Sequence, residues 1–193
     1  MSAYDDVPES GVQRGLIAAR IRAIQSQAPA GTVLFVGIGG HGASGKTTLA
    51  NAIAELIPST QIVPTDQFFN GQLFELDRLL TDVVQVLNAG RPASYSSWDW
   101  QKGCPGDFRS VLPRGVVILD GVCALDQRFR DFELLRIWVD TPVEVRLVRG
   151  IARDGENSRD LWVNKWLPGE RAYVERDAPI ACAHLVVSGS HPF

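Results

Sequence analysis

The chain has 193 residues, of which 45% are hydrophobic and 21% charged, a composition typical of one soluble globular domain. A net charge of −3 gives no general attraction to nucleic acid or anionic lipid, so we expect neither as a partner. Three cysteines without C-x-x-C spacing, no run of 18 apolar residues and no basic N-terminal start predict a cytoplasmic protein without a disulfide framework, zinc site or membrane span.

Hydrophobic periodicity predicts that helices alternate with strands along the chain. Apolar residues at helical spacing predict helices at 10–28, 48–57, 76–87, 142–153 and 160–176. Short apolar runs predict strands at 33–38, 61–66, 116–120, 134–140 and 184–187. Pro64 limits the second strand to an edge of the sheet or to its own end, and the third and fourth strands are expected to be central. This alternation predicts an α/β fold, a parallel β-sheet with helices on both faces.

The stretch from Gly40 to Thr47 fits G-x-x-x-x-G-K-[ST], the phosphate-binding loop of nucleoside triphosphatases. Glycines let the backbone turn tightly and aim N–H groups at phosphate oxygens, and the following helix adds its positive N-terminal end. Lys46 is expected to reach the β- and γ-phosphates, and Thr47 to offer its hydroxyl to Mg²⁺. The predicted strand, loop and helix occur in the required order, which predicts a P-loop NTPase fold.

The expected ATP contacts are the loop and the first residues of its helix. They are Gly40, Gly42, Ala43, Ser44, Gly45, Lys46, Thr47 and Thr48. Three glycines at 37, 39 and 42 also spell G-x-G-x-x-G, the pattern of a dinucleotide site. That pattern alone is weak, and no acidic residue ends a second strand about 20 residues on in the expected way. We therefore favour the triphosphate interpretation.

Two aspartates follow predicted strands. Asp120 ends a run of four apolar residues, so in a parallel sheet its carboxylate lies at the carboxyl edge beside the phosphate loop, where it can hold Mg²⁺. The alternative is an acidic strand end that caps the next loop. If Asp66, which follows the next predicted strand, faces the γ-phosphate, it can accept the proton of an attacking hydroxyl. The residues alone favour the alternative, a turn-forming aspartate.

A cluster of arginines surrounds the end of the predicted helix at 142–153. Its members are Arg146, Arg149, Arg153 and Arg159, with Gly150 and Gly155 among them. Arginines that close over a transferring phosphoryl group stabilise its charge and exclude water. The alternative, which the residues alone favour, is a solvated basic face paired with Glu144, Asp154 and Glu156.

Aromatic side chains are concentrated in the segment that holds Tyr95, Trp98 and Trp100. They are suited to stacking on a flat base, with Asp99 bonding a sugar hydroxyl. Packing in the core is the more common outcome for any one of them. Trp162 and Trp166, four residues apart on a helix, are expected to be core residues.

Over nearly all of residues 33–189, the chain resembles the uridine kinase and phosphoribulokinase group of P-loop kinases. The matching segments are the phosphate loop and its helix start (40–48), 65–69 (similar to Asp-x-Phe-Tyr), 98–100 (Tyr-Asp-Phe/Trp), 119–122 (Leu-Glu-Gly-Ile) and 139–154 (the Val-Asp-Thr to Arg-Asp lid). The ordered set of five segments is more specific than the phosphate loop alone.

The resemblance implies an enzyme that uses ATP and Mg²⁺ to phosphorylate a small-molecule hydroxyl. It implies that Asp66 is the catalytic base, that Lys46, Arg149 and Arg153 act on the phosphates, and that Thr47 and Asp120 hold the metal. The implied acceptor contacts are Asp66, Phe68, Asp77, Trp98, Asp99 and Arg159. We expect an N-terminal helix within 1–30 that packs on a kinase domain at 31–193, with a mobile lid at about 149–160.

Departures from the family pattern concern the acceptor. The Phe-Asp-His-Pro segment is missing, with Asp77 left to fill the place of its sugar-binding aspartate, and Gly150 replaces one lid arginine. The loop before Arg159 is one residue shorter, and Asp120 stands for a glutamate. We expect a uridine or cytidine kinase, with a pantothenate-, ribosylnicotinamide- or sugar-like acceptor as the alternative. An ATPase or switch module acting on a partner protein is the third hypothesis, and self-association is left open.

Overall fold

A computed structural model describes residues 10–191 and 193. Its main sheet contains strands β1 (Leu34–Gly40), β2 (Thr60–Pro64), β5 (Val116–Asp120), β6 (Glu133–Asp140) and β7 (Leu185–Ser188). All pairings in this sheet are parallel, and the strand order is β2-β5-β1-β6-β7. The predicted α/β fold is therefore confirmed. Pro64 is the last residue of an edge strand, and β5 and β6 are interior, as predicted.

Helices connect these strands as the periodicity predicts. They are α1 (Ser10–Gln27), α2 (Lys46–Leu56), α3 (Leu76–Leu79, Leu80–Val84 and Gln85–Asn88 in succession), α4 (Val143–Asp154), α5 (Arg159–Leu161, Trp162–Trp166 and Leu167–Asp177) and α6 (Pro179–Cys182). The middle parts of α3 and α5 are π-helical, a detail that apolar spacing does not reveal. No helix among the described residues is long and apolar enough to cross a membrane.

An antiparallel hairpin is the element that the sequence analysis missed. Strands β3 (Ala93–Asp99) and β4 (Cys104–Val111) pair with Ala93 opposite Val111 and Asp99 opposite Cys104. Only Ala93, Tyr95, Ser97 and Val111 of these strands are buried, while most of β4 is exposed. With so little apolar alternation, the segment gives a weak strand pattern, and the hairpin packs through Tyr95 on the ring of Phe68.

The core lies on both faces of the sheet. On one face, Ile17 and Ile21 of α1 pack with Leu49 and Ile53 of α2 against alternate residues of β1. On the other face, α3 and the hairpin pack against Phe35 and its neighbours in β5. Residues 1–9, part of the predicted N-terminal region, lie outside the described residues. The two layers cover both faces of β1 and β5, and the phosphate-loop motif and Asp120 lie at the ends of these two strands.

Candidate active site

The phosphate loop joins β1 to α2 in a tight curl of backbone. Gly45 has φ 100°, in the region that favours glycine, and Ala43 has φ 57°. A Cβ at Gly40 would lie 2.5 Å from the carbonyl oxygen of Val139 in the neighbouring strand. The hydroxyl of Thr141 donates to the Ser44 carbonyl oxygen over 2.9 Å, which anchors the loop to the end of β6. The sequence thus needs glycine where the loop turns and where it passes close to β6.

Lys46 folds back over this loop. Its Nζ donates to the His41 carbonyl oxygen over 2.6 Å, and the side chain is buried. Burial lowers the pKa of Lys46 to about 8, although the carboxylates of Asp120 and Glu170 oppose the shift. The pKa of Lys46 therefore lies close to neutral pH, and a phosphate bound beside the ammonium would favour its charged form.

Thr47 and Asp120 form the expected pair between α2 and the end of β5. The Thr47 hydroxyl donates to Asp120 Oδ2 over 2.7 Å. Burial raises the pKa of the Asp120 carboxyl above its usual range, against the effects of Thr47 and Lys46. Asp120 Oδ1 is also buried, with no hydrogen-bond partner among the described residues. A buried, unpaired carboxylate oxygen beside a hydroxyl fits Mg²⁺, which prefers oxygen ligands and one or two protein carboxylates alongside phosphates.

Asp66 lies on a short 3₁₀ turn, Thr65–Phe68, that follows β2. The turn fits closely against the end of β5, since a Cβ at Gly121 would lie 1.8 Å from Thr65 Oγ1. The Asp66 side chain reaches solvent, yet the surrounding walls remove enough water to raise the pKa of its carboxyl. Lys46 and Arg153 oppose that shift, so Asp66 shares one electrostatic environment with the phosphate loop.

A cleft of about 520 Å³ opens beside the loop. It is lined by Ala43, Ser44, Gly45, Lys46, Thr47, Thr48, Arg149, Arg153, Gly189, His191 and Phe193. Arg149 donates to the carbonyl oxygens of Gly189 and Ser190 over 2.6 and 2.7 Å, and so holds the wall that follows β7. Arg153 pairs with Asp154 at the rim. The structure brings these two arginines of α4 to the same cleft as the loop.

Arg159 and Asp77 do not line this cleft. Arg159 is exposed and pairs with Glu156, three residues earlier in the chain. Asp77 accepts a hydrogen bond from Arg128 over 2.7 Å, and 82% of its side chain is exposed. Neither residue contacts the cleft walls in this conformation, so their roles toward an acceptor stay predictions.

The hairpin end carries an aromatic cluster centred on Phe69. Its ring is stacked on Trp100, with centroids 4.8 Å apart, lies edge-on to Trp98 and is tilted against Phe74. Phe68, the expected contact, is fully buried, so it supports the Asp66 turn from below. Asp99 accepts hydrogen bonds from the amides of the hairpin turn and pairs with Lys102, which gives it a structural role in this conformation.

Three features of the site were missed by sequence reasoning. Phe69 is adjacent to Phe68, the expected contact, and the sequence does not show which of the two side chains faces the aromatic cluster. The cleft wall formed by Gly189, His191 and Phe193 belongs to no sequence motif. Nor does Glu170, whose carboxylate accepts a hydrogen bond from the Gly42 amide over 2.7 Å. Trp162 is buried as predicted, whereas Trp166, expected in the core, packs outside it and is 37% exposed.

A parallel sheet in this order, with a phosphate loop after its central strand and a Thr–Asp pair beside it, defines a P-loop nucleoside triphosphatase fold. No protein-family model matches the chain. The uridine kinase of Alkaliphilus metalliredigens (strain QYMF) is 30% identical over 143 residues, 64% of this chain and 69% of the relative. The chain belongs to the uridine kinase family, and the predicted resemblance and kinase activity are confirmed.

Solved structures agree on the fold. A protein described as a possible uridine kinase from Bacillus stearothermophilus has a TM-score of 0.68 and 21% identity, over 91% of this chain and 98% of that one. The D-glycerate 3-kinase of Cryptococcus neoformans var. grubii has a TM-score of 0.54 and 13% identity, over 89% of this chain and 87% of that one. At these identities the likeness shows the fold alone.

Proposed function

We propose that the protein transfers the γ-phosphate of ATP to a hydroxyl of a pyrimidine nucleoside, uridine or cytidine. The observation that carries this proposal is the position of Asp66, whose carboxylate shares the electrostatic environment of Lys46 and Arg153 while its turn supports the aromatic cluster at Phe69. A base, a phosphate-binding loop and a stacking surface are the parts that such a transfer needs.

In the proposed reaction, the loop amides and Lys46 hold the phosphates, and Thr48 lines the same end of the cleft. Asp66 accepts the proton of the acceptor hydroxyl as its oxygen bonds to the γ-phosphorus. The bond from that phosphorus to the β–γ bridging oxygen breaks, and ADP leaves with the electron pair. Arg149 and Arg153 stabilise the transferring charge and exclude water. Mg²⁺, held by Thr47 and Asp120, would neutralise charge on the phosphates.

The aromatic cluster supports a nucleoside as the acceptor. Phe69, Trp98 and Trp100 offer faces and edges at the accessible end of the hairpin, and a pyrimidine ring stacks well on such groups. The curated relative is named a uridine kinase. Of the other expected contacts, Asp99 already pairs with Lys102 and Asp77 with Arg128, and a sugar hydroxyl would use the remaining acceptor sites of these carboxylates.

An acceptor of pantothenate, ribosylnicotinamide or sugar type is the second candidate. The missing Phe-Asp-His-Pro segment lies where the family binds its acceptor, and one structural neighbour is named a D-glycerate 3-kinase. A switch module has less support, because the nearest match to guanine recognition, 164–167, lacks the aspartate and lies on α5.

The test is a coupled assay of ADP release from Mg·ATP. The acceptor panel contains uridine, cytidine, other nucleosides, pantothenate and simple sugars. Wild type is compared with Asp66→Asn, and with Asp131→Asn as a control at an exposed turn outside the cleft. We expect stimulation by a pyrimidine nucleoside and a kcat at least about 10²-fold lower in Asp66→Asn, with ATP binding little changed.

Each outcome has a definite meaning. Stimulation by another alcohol, lost in Asp66→Asn, corrects the acceptor and keeps the mechanism. Full activity of Asp66→Asn shows that Asp66 is structural. ATP turnover that no alcohol stimulates contradicts the proposal and favours the ATPase hypothesis.

A further inference from the structure

Glu170, on the last part of α5, contacts the phosphate loop from outside the cleft. Its Oε1 accepts the Gly42 amide over 2.7 Å, and its Oε2 lies 3.3 Å from His41 Nδ1. Only 10% of the side chain is exposed, and it does not line the cleft. The first half of the loop is therefore held by a side chain that a bound nucleotide would not touch.

Arg146 of α4 completes this contact. Its Nη1 lies 3.1 Å from Glu170 Oε2, and its Nε donates to the Thr141 carbonyl oxygen over 3.0 Å. Burial alone would raise the pKa of Glu170, but His41, the Gly42 amide and Arg146 together lower it. A carboxylate so close to a phosphate site would repel the nucleotide unless its charge were matched, and Arg146 supplies the opposite charge.

Trp162, on the same helix, fills the space between the loop and α4. A Cβ at Gly42 would lie 2.6 Å from Glu170 Oε1 and 2.9 Å from the Trp162 ring. A Cβ at Gly150 would lie 2.3 Å from the same ring. The indole N–H donates to Asp154, which pairs with Arg153 at the cleft. Through α5, the position of the loop is thus tied to that of the arginines.

We propose that Glu170 is a positioning residue that holds the phosphate loop in its ATP-binding shape relative to α4, chiefly through the Gly42 amide. This inference rests on the proposed ATP site. A displacement of about 1 Å in such a loop costs on the order of 10²-fold in rate. The contact fixes the backbone of the phosphate loop. Its loss is therefore expected to lower the affinity for ATP more than the affinity for the acceptor.

The experiment compares Glu170→Ala and Glu170→Gln with wild type. Glutamine keeps an oxygen for the Gly42 amide but removes the charge that faces Arg146, so it separates positioning from ion pairing. We measure the ATP dissociation constant by calorimetry, kcat and KM for both substrates, and the thermal midpoint. Glu175→Gln, at an exposed position of the same helix, is the control.

We expect about a tenfold to hundredfold loss in ATP affinity and in kcat/KM for ATP in Glu170→Ala. KM for the acceptor is expected to change less than about twofold, and Glu170→Gln to recover most of the ATP affinity even if its thermal midpoint falls. Unchanged ATP affinity in folded Glu170→Ala, or equal losses in both variants, would overturn the inference. The ATP affinities need no acceptor, so they test it even if no acceptor on the panel is phosphorylated.

Discussion

Lys46 shows how burial prepares one residue for its ligand. Desolvation disfavours the ammonium, and the nearby Asp120 and Glu170 carboxylates only partly restore its charge, which leaves the pKa at about 8. A triphosphate placed on the loop would stabilise the charged form further. Binding of ATP at the loop would therefore be coupled to protonation of Lys46.

This coupling predicts how ATP affinity depends on pH. Below pH 8 Lys46 is already charged in the free protein, so the ATP dissociation constant is expected to be nearly constant there. Above pH 8 the free protein must take up a proton to bind, and the dissociation constant is expected to rise by up to roughly tenfold per pH unit. Calorimetry from pH 6.5 to 9.5 at about constant ionic strength measures this dependence.

Lys46→Ala provides the matched control for that titration. It is expected to bind ATP weakly, to lose turnover and to show little change with pH over the same range. A wild-type affinity that stays the same up to pH 9.5 would show that Lys46 stays charged in the free protein over that range, and would contradict the coupling.

Residue positions that depend on adjacent sequence were predictable, and contacts made across the fold were not. Lys46, Thr47 and Asp120 follow from the motif and from the end of an apolar strand. Phe69 and Glu170 depend on which way a turn directs its side chains and on which helix packs beside the loop. Neither property is encoded within a few residues of the position concerned.

At the scale of elements, the β3–β4 hairpin contributes Trp98 and Trp100 to the aromatic cluster beside the Asp66 turn. Tyr95 donates from its hydroxyl to Gln67 over 2.8 Å, and burial raises the pKa of Tyr95 to about 12, so it stays a donor in the ordinary pH range. The hairpin is thereby fixed to the turn that carries the proposed base. The aromatic cluster at its end is the part left accessible.

Removal of one ring of the aromatic cluster tests whether the cluster stacks on the nucleoside. Trp100→Ala is expected to raise KM for the nucleoside by the equivalent of about 1–3 kcal/mol, the usual size of a base–aromatic stack. KM for ATP is expected to stay within about twofold. Phe108→Ala, at a position of β4 that is 77% exposed, is the control. Equal effects of the two substitutions would argue against stacking at Trp100.

Helix α4 illustrates a local rule that tertiary packing reverses. Replacement of a glycine inside a helix by alanine ordinarily stabilises it by about 1 kcal/mol. At Gly150, however, the new methyl group would overlap the Trp162 ring. We expect Gly150→Ala to lower the free energy of unfolding by about 1–3 kcal/mol, measured by urea denaturation.

Gly169→Ala is the matched control for that substitution. Gly169 is also helical, and a Cβ there would meet no atom within 4 Å, so a gain of up to about 1 kcal/mol is expected. A stabilised Gly150→Ala would show that Trp162 does not pack as described. The same packing accounts for a glycine rather than a larger residue at this position of α4.

Element prediction succeeded where a segment is buried as a unit. Strands β1 and β5 are continuous apolar runs because both of their faces are covered, and the periodicity located them well. The hairpin was missed because β4 pairs only with β3 and exposes most of its side chains. Its residues therefore do not show the apolar pattern by which a buried strand is recognised in a sequence. The mobility of residues 149–160 stays a prediction.

At the scale of the whole molecule, the cleft is lined by residues that are far apart in the chain. The loop follows β1, the arginines lie on α4, and the opposite wall comes after β7. Ligands that bridge such parts stabilise the folded state alone. With ATP at about 100 times its dissociation constant, the stabilisation is about 2.7 kcal/mol.

We therefore expect Mg·ATP to raise the thermal midpoint by roughly 5–10 °C, from the usual conversion for a domain of this size. Differential scanning calorimetry with and without nucleotide measures the shift, and addition of a chelator is expected to reduce it. Lys46→Ala should show almost none. An equal shift in Lys46→Ala would place the nucleotide elsewhere on the molecule.

The central position of β1 governs when the protein acquires its affinity for nucleotide during synthesis. Both neighbours of β1 in the sheet, β5 and β6, are translated long after the phosphate-binding motif itself. Until they leave the ribosome, the glycine-rich segment has no frame to hold its amides in place. A growing chain that carries the motif but not yet β5 and β6 is therefore expected not to bind ATP.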